Sequence, residues 1–189
     1  MANTTRLVIF GRQGAGKGTQ CDRIVDHYGV IHLSTGDMFR AAVDQETELG
    51  KKVEPIMASG GLVPDEMTIG IVRERLAEPD VESKGFVLDG FPRTPIQAEA
   101  LVEMLGEDSL TTVINLDVPL DEVKSRMKAR GRGDDTDESI EQRLALYDSE
   151  TVPTIDWFAE RGMVVNVDGL GSEDEVAERV FAAIDAEAD

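Results

Sequence analysis

Short runs of β-branched and apolar residues alternate with longer stretches whose apolar positions recur at helical spacing. That is the signature of βαβ units around a parallel sheet. Leu7-Val-Ile-Phe10 reads as a buried strand ending at Gly11. The stretch from about Lys17 to Tyr28 reads as a helix, with Cys21, Ile24 and Val25 on one face and Gly29 as its C-terminal cap. Val30 to Leu33 is a second short strand, and Ser34 and Thr35 supply N-cap chemistry for a helix through Met38, Phe39 and Ala42. Two further helical stretches, Leu49 to Met57 and Asp65 to Leu76, flank a Gly60-Gly61 break, with Pro64 suited to the first turn of the second. Gly85 to Asp89, Thr112 to Asp117 and Met163 to Val167 bring the strands to five, all separated by helices. Asp121 to Arg130 is a basic helix, and Gly131 to Asp135 interrupts the periodicity before a helix opens near Asp137 to Ser139 and runs through Ile140, Leu144 and Leu146. Trp157 and Phe158, beside Arg161-Gly162, read as core and a helix end. The last helix carries Val176, Val180 and Ile184 at i, i+4 and i+8. No internal repeat, low-complexity tract or Pro/Ser-rich linker breaks the pattern, so a single domain is expected.

Composition narrows the classes. With 189 residues and 41% hydrophobic content, the chain is long enough to bury a sizeable core, about 70% of its unfolded surface. Acidic residues outnumber basic ones by 38 to 19, giving a formal charge of −19, which argues against a grip on nucleic acid or anionic lipid. The carboxylates are interspersed with apolar positions and read as a solvated surface; a high-salt habitat is the alternative. A lone cysteine, Cys21, excludes an internal disulfide and a thiolate-based zinc site, which would need several cysteines at short spacing. The apolar run near the N-terminus is too short for a signal sequence, and no membrane-spanning stretch occurs, so a cytoplasmic protein in a reducing compartment is expected.

Between the first strand and the first helix lies Gly11-Arg-Gln-Gly-Ala-Gly16-Lys17. Its glycines let successive backbone N–H groups converge on anionic oxygens, the helix N-terminus adds its positive end, and Lys17 supplies a point charge for β and γ phosphates. This is a P-loop, with one departure: Gly18 follows the lysine and Thr19 comes one residue later. By itself the loop implies nucleotide binding and no particular reaction.

The run from Gly11 to Gln20 resembles the nucleoside monophosphate kinases, and the adenylate kinases in particular, which usually have proline where this chain has Gln13. Further motifs extend the resemblance, in order, over essentially the whole chain. Leu33-Ser-Thr-Gly-Asp-Met-Phe-Arg40 resembles the family's monophosphate motif, in which Thr35 would lie against adenine and Arg40 would hold the AMP phosphate. Gly60 to Asp65 resembles the segment lining the adenine pocket, with Leu62 and Val63 beside base and ribose; Met57 is either part of that pocket or plain helix core. Phe86-Val-Leu-Asp-Gly-Phe-Pro-Arg93-Thr-x-x-Gln97 places Asp89 at a strand end in the Walker B manner, orienting Mg²⁺ through water, although a carboxylate there also serves as a cap. Within this motif Gly90 permits close backbone approach, Arg93 resembles a second AMP-phosphate arginine, and Gln97 resembles the residue that hydrogen-bonds adenine.

Phosphoryl transfer needs positive charge around the moving group, and Arg126, Arg130, Arg132 and Arg143 are candidates to supply it. Arg126 resembles the arginine near the ATP base, and Arg130, Arg132 and Arg143 those that close on the phosphates. These arginines, with Lys124 and Lys128 on the same helix as Arg126 and Arg130, ask for an anionic target in so acidic a chain, although a solvated basic face is the bland alternative. About eight residues, Gly131 to Glu138, join the two helices, as in the short-lid form of the family; the longer, zinc-holding lid does not fit, so no structural zinc is expected. Asp134 and Asp135 either accept from closing arginines or are solvated loop charges. His27 and His32 look isolated, with no carboxylate or cysteine at ligand spacing, and read as capping or packing residues.

The resemblance therefore implies a P-loop three-layer α/β/α fold over residues 1–189, with a five-stranded parallel sheet, a helical AMP-binding insertion at 34–63 and a short lid at 131–138. The implied reaction is ATP + AMP ⇌ 2 ADP with Mg²⁺. The implied ATP-binding residues are Gly14, Ala15, Gly16, Lys17, Gly18, Thr19 and Arg126. The AMP-binding set is Thr35, Arg40, Met57, Leu62, Val63, Gly90, Arg93, Gln97, Arg132 and Arg143, and the catalytic set is Lys17, Arg93, Arg130, Arg132 and Arg143. ATP, AMP and ADP are the expected partners, with no nucleic acid or membrane, and a monomer is expected. The nearest rival, a UMP/CMP kinase, usually has Ala at the position of Thr35 and Asn at that of Thr94. A P-loop switch would want a guanine-reading Asn-Lys-x-Asp, which is missing here.

Overall fold

The computed structural model describes residues 5–106, 109–130 and 136–188. Five strands, β1 (Arg6–Phe10), β2 (Ile31–Ser34), β3 (Phe86–Asp89), β4 (Thr112–Asp117) and β5 (Val164–Asp168), form one all-parallel sheet in the order β2-β3-β1-β4-β5. Around them run α1 (Lys17–Tyr28), α2 (Thr35–Asp44), α3 (Glu48–Ala58), α4 (Asp65–Leu76), α5 (Pro79–Lys84), α6 (Pro95–Leu105), α7 (Leu120–Arg130), α8 (Asp137–Leu146), α9 (Val152–Ala159) and α10 (Glu173–Ala188). A π-helical turn, Tyr147–Thr151, joins α8 to α9 without a break.

Side-chain alternation on the strands builds two cores. Leu7, Ile9, Val87, Ile114 and Leu116 face one layer with Cys21 and Ile24 of α1, Val123 and Met127 of α7, and Val176, Val180 and Ile184 of α10. Val8, Phe10, Leu88 and Val113 face the other with Val72 of α4, Ala98 and Leu101 of α6, and Phe158 of α9. Covered on both faces, the central strands are continuously apolar, as a parallel sheet with crossover helices requires. Phe39, Val53 and Val63 form a small third core inside the α2–α3 insertion.

The predicted elements are present with small shifts. Thr112–Asp117 agrees at both ends, Gly29 caps α1 through its N–H to Val25 O at 2.9 Å, and Ser34 Oγ accepts the Asp37 N–H at 3.2 Å. Pro64 sits at the N-cap of α4, one position ahead of the first turn. Asp137 and Glu138 already belong to α8, so the connection from α7 is 131–136, shorter than the expected 131–138, and within it 131–135 lie outside the described residues.

The strand order places the chemistry. From β1 the chain goes to one edge of the sheet, and after β3 it crosses over β1 to β4, so β1 and β3 are neighbours at the point where the order reverses. In open α/β sheets the crevice beyond the carboxyl ends of such strands takes the ligand. The register pairs Ile9 with Asp89, setting the loop after β1 beside the end of β3.

Candidate active site

A cleft of about 630 Å³ opens at this crevice. Its floor is the loop Gly11–Gly16, which delivers the chain into α1. Gly14 has φ +90° and lies so close to α7 that a Cβ would stand 2.7 Å from Val123 O and 2.8 Å from Met127 Cγ. Only glycine fits the loop there. No side chain caps α1, so its first N–H groups are left to the cleft, and together with the helix dipole they make an anion site. Lys17 Nζ donates to Gly11 O at 2.9 Å and stands 3.9 Å from Asp89 Oδ1, across the floor. Gly18 and Thr19 also line the cleft; Ala15 is buried, and its carbonyl accepts from Arg126 Nη1 at 3.3 Å, which lays Arg126 over the end of the loop. Arg126 is held from behind by Glu122, at 2.6 Å.

The opposite wall comes from α2, the end of α3, the 59–64 turn and the segment after β3. Because Ser34 takes the capping role, Thr35 is free of it and lies buried beside Gly90, where φ is +83° and a Cβ would be 2.7 Å from Thr35 Oγ1 and 3.2 Å from Arg93 Nη2. Arg93 is anchored by Nε donating to Gly90 O at 2.9 Å. Arg40 pairs with Asp37 one turn earlier on α2, and Arg143 Nη2 donates to Met57 O at 3.4 Å, tying α8 to the end of α3. Leu62, Val63, Met57 and Gln97 line the same wall. Gln97 is almost wholly buried and already engaged: its Oε1 accepts the Arg93 N–H at 2.8 Å and its Nε2 donates to Asp65 Oδ1 at 2.8 Å. It thus orders the start of α6 as well as facing the cleft.

Charge is polarised across this cleft. Burial lowers the pKa of the Arg93 guanidinium from its usual value, and the neighbouring positive charges of Arg143 and Arg40 push the same way, against Asp89. Arg93 thus sits in a buried, positively charged neighbourhood that an anion relieves. Burial alone would protonate Asp89, yet Lys17, His32 and Arg93 hold it below the ordinary carboxylate range, so it is ionised at neutral pH. His32 is corrected by the structure: far from isolated, it lies with Nε2 3.8 Å from Asp89 Oδ2 and Nδ1 3.9 Å from Asp22 Oδ1. Burial disfavours its charged form, but Asp89, Asp22 and Asp37 outweigh that and raise its pKa above 6.5. His27, by contrast, is a packing residue, stacked on Phe181 at 4.3 Å.

Not every basic residue of α7 faces the cleft. Lys124 pairs with Glu141 at 2.8 Å and Lys128 with Asp137 at 3.0 Å, so these two bind α7 to α8 and are not part of an anion site. Arg132 and the side chain of Arg130 lie outside the described residues, as do Asp134 and Asp135. Tyr147, at the π turn, lines the cleft, and Arg12 reaches it from the loop, its guanidinium 5.1 Å from the ring centroid and 2.8 Å from Asp148. Sequence reasoning missed Tyr147 because nothing in a Leu-Tyr-Asp-Ser run marks a π turn.

A glycine-rich loop at a parallel-sheet switch point, a lysine paired across to a strand-end aspartate and a second, arginine-lined pole define a P-loop phosphotransferase with two nucleotide sites. The family model for adenylate kinase matches residues 9–163. Over 187 residues the chain is 43% identical to an adenylate kinase of Stenotrophomonas maltophilia, spanning 96% of this chain and all of that one. It is 47% identical to adenylate kinases of Corynebacterium urealyticum and Nocardia farcinica, in each case over 95% of this chain and at least 98% of the relative. The chain belongs to the adenylate kinase family. Its reaction is the reversible phosphoryl transfer ATP + AMP ⇌ 2 ADP, and the family works on ATP as its magnesium complex. Among the described residues no helix is long and apolar enough to cross a membrane.

Proposed function

We propose that the loop Gly11–Lys17 with Thr19 holds the ATP phosphates, that Arg126 covers the donor's nucleoside end, and that AMP sits against Thr35, Leu62, Val63 and Gln97 with its phosphate between Arg40, Arg93 and Arg143. The burial of Arg93 with the like charges of Arg143 and Arg40 beside it, on the wall opposite the loop, is the observation that carries this reading. A phosphate dianion relieves it, and a guanidinium fork matches phosphate oxygens in pairs.

Asp89 suits a magnesium ion. Mg²⁺ takes hard oxygen ligands, usually one or two carboxylates with phosphate oxygens and retained waters, and Asp89 offers an ionised carboxylate facing the cleft next to Lys17. When bound with ATP, the ion neutralises charge on the phosphate oxygens. In the transfer, an oxygen of the AMP phosphate forms a bond to the γ-phosphorus as the bond to the β-bridging oxygen breaks, leaving ADP on each side. Lys17 neutralises oxygens of the donor, and Arg93 and Arg143 bear on the moving group from the acceptor side; Arg130, which ends α7, and Arg132 are assigned to the same charge-neutralising set by the family resemblance. Residues 34–63 work as the AMP-binding segment. Such preset charges favour the transition state because they need no reorganisation as charge shifts.

The described cleft is built within one chain, which supports action as a monomer, and the −19 charge supports a protein that binds neither nucleic acid nor anionic membrane; the cytoplasm is the setting this reading gives it. Arg40→Ala and Arg93→Ala test the assignment. Each should weaken AMP far more than ATP when the two are titrated separately, whereas equal losses on both sides would defeat it.

A further inference from the structure

Three ligand-type side chains from three different elements meet where the cleft borders the core: His32 and Asp89 line the cleft, and Cys21 is wholly buried behind them. Cys21 comes from α1, His32 from β2 and Asp89 from β3, and one donor atom of each lies within 4.8 Å of the other two. Phosphoryl transfer has no use for this meeting, since it employs Asp89 alone. His32 Nε2 is buried and makes no hydrogen bond, its neighbour Asp89 Oδ2 being 3.8 Å away. On the far side of the ring, Nδ1 faces Asp22 Oδ1 at 3.9 Å. Metal-bound histidines commonly present their second ring N–H to a carboxylate, which fixes the tautomer and turns the other lone pair to the metal. Asp22 stands where that carboxylate belongs, leaving Nε2 turned toward Cys21 and Asp89.

The geometry points to a binding site for a borderline-soft divalent metal ion of the Zn²⁺ and Co²⁺ class, held by Cys21 Sγ, His32 Nε2 and the Asp89 carboxylate, whose occupation inhibits the enzyme. Thiolate, imidazole and carboxylate are the ligands zinc takes in four-coordinate sites, and because His32 and Asp89 line the cleft, a water can reach the ion from that side. Bond lengths of about 2.0–2.3 Å set tetrahedral ligand atoms roughly 3.3–3.6 Å apart. The cluster needs inward rotations of about 1 Å to close to that spacing, and His32 and Asp89, both lining the cleft, have room to make them. Magnesium prefers oxygen and sheds water reluctantly, so ligand softness separates the two ions. On binding, metal–sulfur and metal–nitrogen bonds form as the Cys21 thiol proton and the proton on His32 Nε2 pass to solvent, with no change of oxidation state. Inhibition rests on the proposed role of Asp89 in phosphoryl transfer; binding itself does not.

Cys21 is the only cysteine in the chain, so a thiolate-to-cobalt charge-transfer band in the near ultraviolet has no other source. Titrating the nucleotide-free protein with Co²⁺ should raise this band to saturation at one ion per chain, and one equivalent of Zn²⁺ should discharge it. Cys21→Ala and Cys21→Ser, each checked for folding by circular dichroism, should not show it. His32→Gln should bind Co²⁺ at least tenfold more weakly, and Asp22→Asn about tenfold more weakly through loss of ring orientation. A folded wild type without the band, or a His32→Gln protein that binds as tightly as wild type, overturns the site. In the second arm, micromolar Zn²⁺ at saturating magnesium nucleotides should inhibit wild type and spare Cys21→Ala. Cobalt binding without zinc inhibition would overturn the inhibitory effect and the role given to Asp89, while leaving the metal site standing.

Discussion

Gly90→Ala concentrates the account on one missing methyl group. Gly90 follows Asp89 directly, has φ +83°, and would place its new Cβ 2.7 Å from Thr35 Oγ1 and 3.2 Å from Arg93 Nη2. An L-residue held in the left-handed region costs roughly 1–2 kcal/mol. Thr35 begins α2 and is buried, so its hydroxyl has little room to retreat, and displacing it with the Arg93 guanidinium adds about 1–3 kcal/mol of overpacking. For a chain of this length each kcal/mol lowers the melting temperature by roughly 2–4 °C, so the variant should melt about 4–20 °C below wild type. On the substrate side, a misplaced guanidinium forfeits a charge-assisted bond to the AMP phosphate worth about 1.5–3 kcal/mol, or roughly ten- to hundredfold in kcat/KM for AMP. The donor loop is on the other side of Asp89, so KM for ATP should change little. Thermal melts together with a coupled assay, varying each substrate in turn, read both effects. A variant that melts with wild type and keeps its AMP kinetics, or one that loses ATP and AMP alike, would refute the reasoning.

Three other expectations reach different parts of the molecule. Lys17→Met should lower kcat by about 10²–10³-fold in a protein that still folds, because a charge placed where the transition state needs it is gone; near-normal turnover would remove the loop from the reaction. Asp80 receives a two-point contact from Arg75, both bonds 2.8 Å, which holds its pKa at about 2 against 3.8. A depressed carboxylate stabilises the fold above its unfolded pKa and loses that contribution as pH falls through the folded one, so the melting difference between wild type and Asp80→Asn should shrink from pH 4 toward pH 2. With a charge of −19, self-repulsion should make the melting temperature rise as salt increases toward 1 M, where the Debye length is about 3 Å; a flat or falling curve would leave the acidity a matter of solubility.

The elements visible in the sequence are those whose pattern encodes local geometry. The apolar run Leu7–Phe10 and the spaced glycines that follow specify a strand and an anion loop wherever they occur, and both are present. Thr112–Asp117 is legible for the same reason. The helix α6 carries no comparable mark: it begins at Pro95 behind the Thr94 cap, and its Ala98 and Leu101 gain meaning only against Val8 and Leu88 across the sheet. Nor does spacing along the chain say that Cys21, His32 and Asp89 converge, since that follows from β2 and β3 lying side by side and from α1 packing behind them. Lys124 and Lys128 looked like part of an anion site because a helix displays its charges identically before and after a partner helix arrives; Glu141 and Asp137 of α8 decide the matter. Gln97 lines the cleft, and the demands of Arg93 and Asp65 on its amide come from turns invisible in a motif.

The central claim is that the arginine-lined pole of the cleft takes AMP. It is met most directly by supplying magnesium ATP as donor and comparing AMP, CMP, UMP and water as acceptors in one coupled assay. The account predicts that AMP is used far more efficiently than either pyrimidine, that two ADP form for each ATP consumed, and that hydrolysis to water is negligible. Preference for CMP or UMP, or ATP consumption that proceeds equally well without any monophosphate, would contradict it.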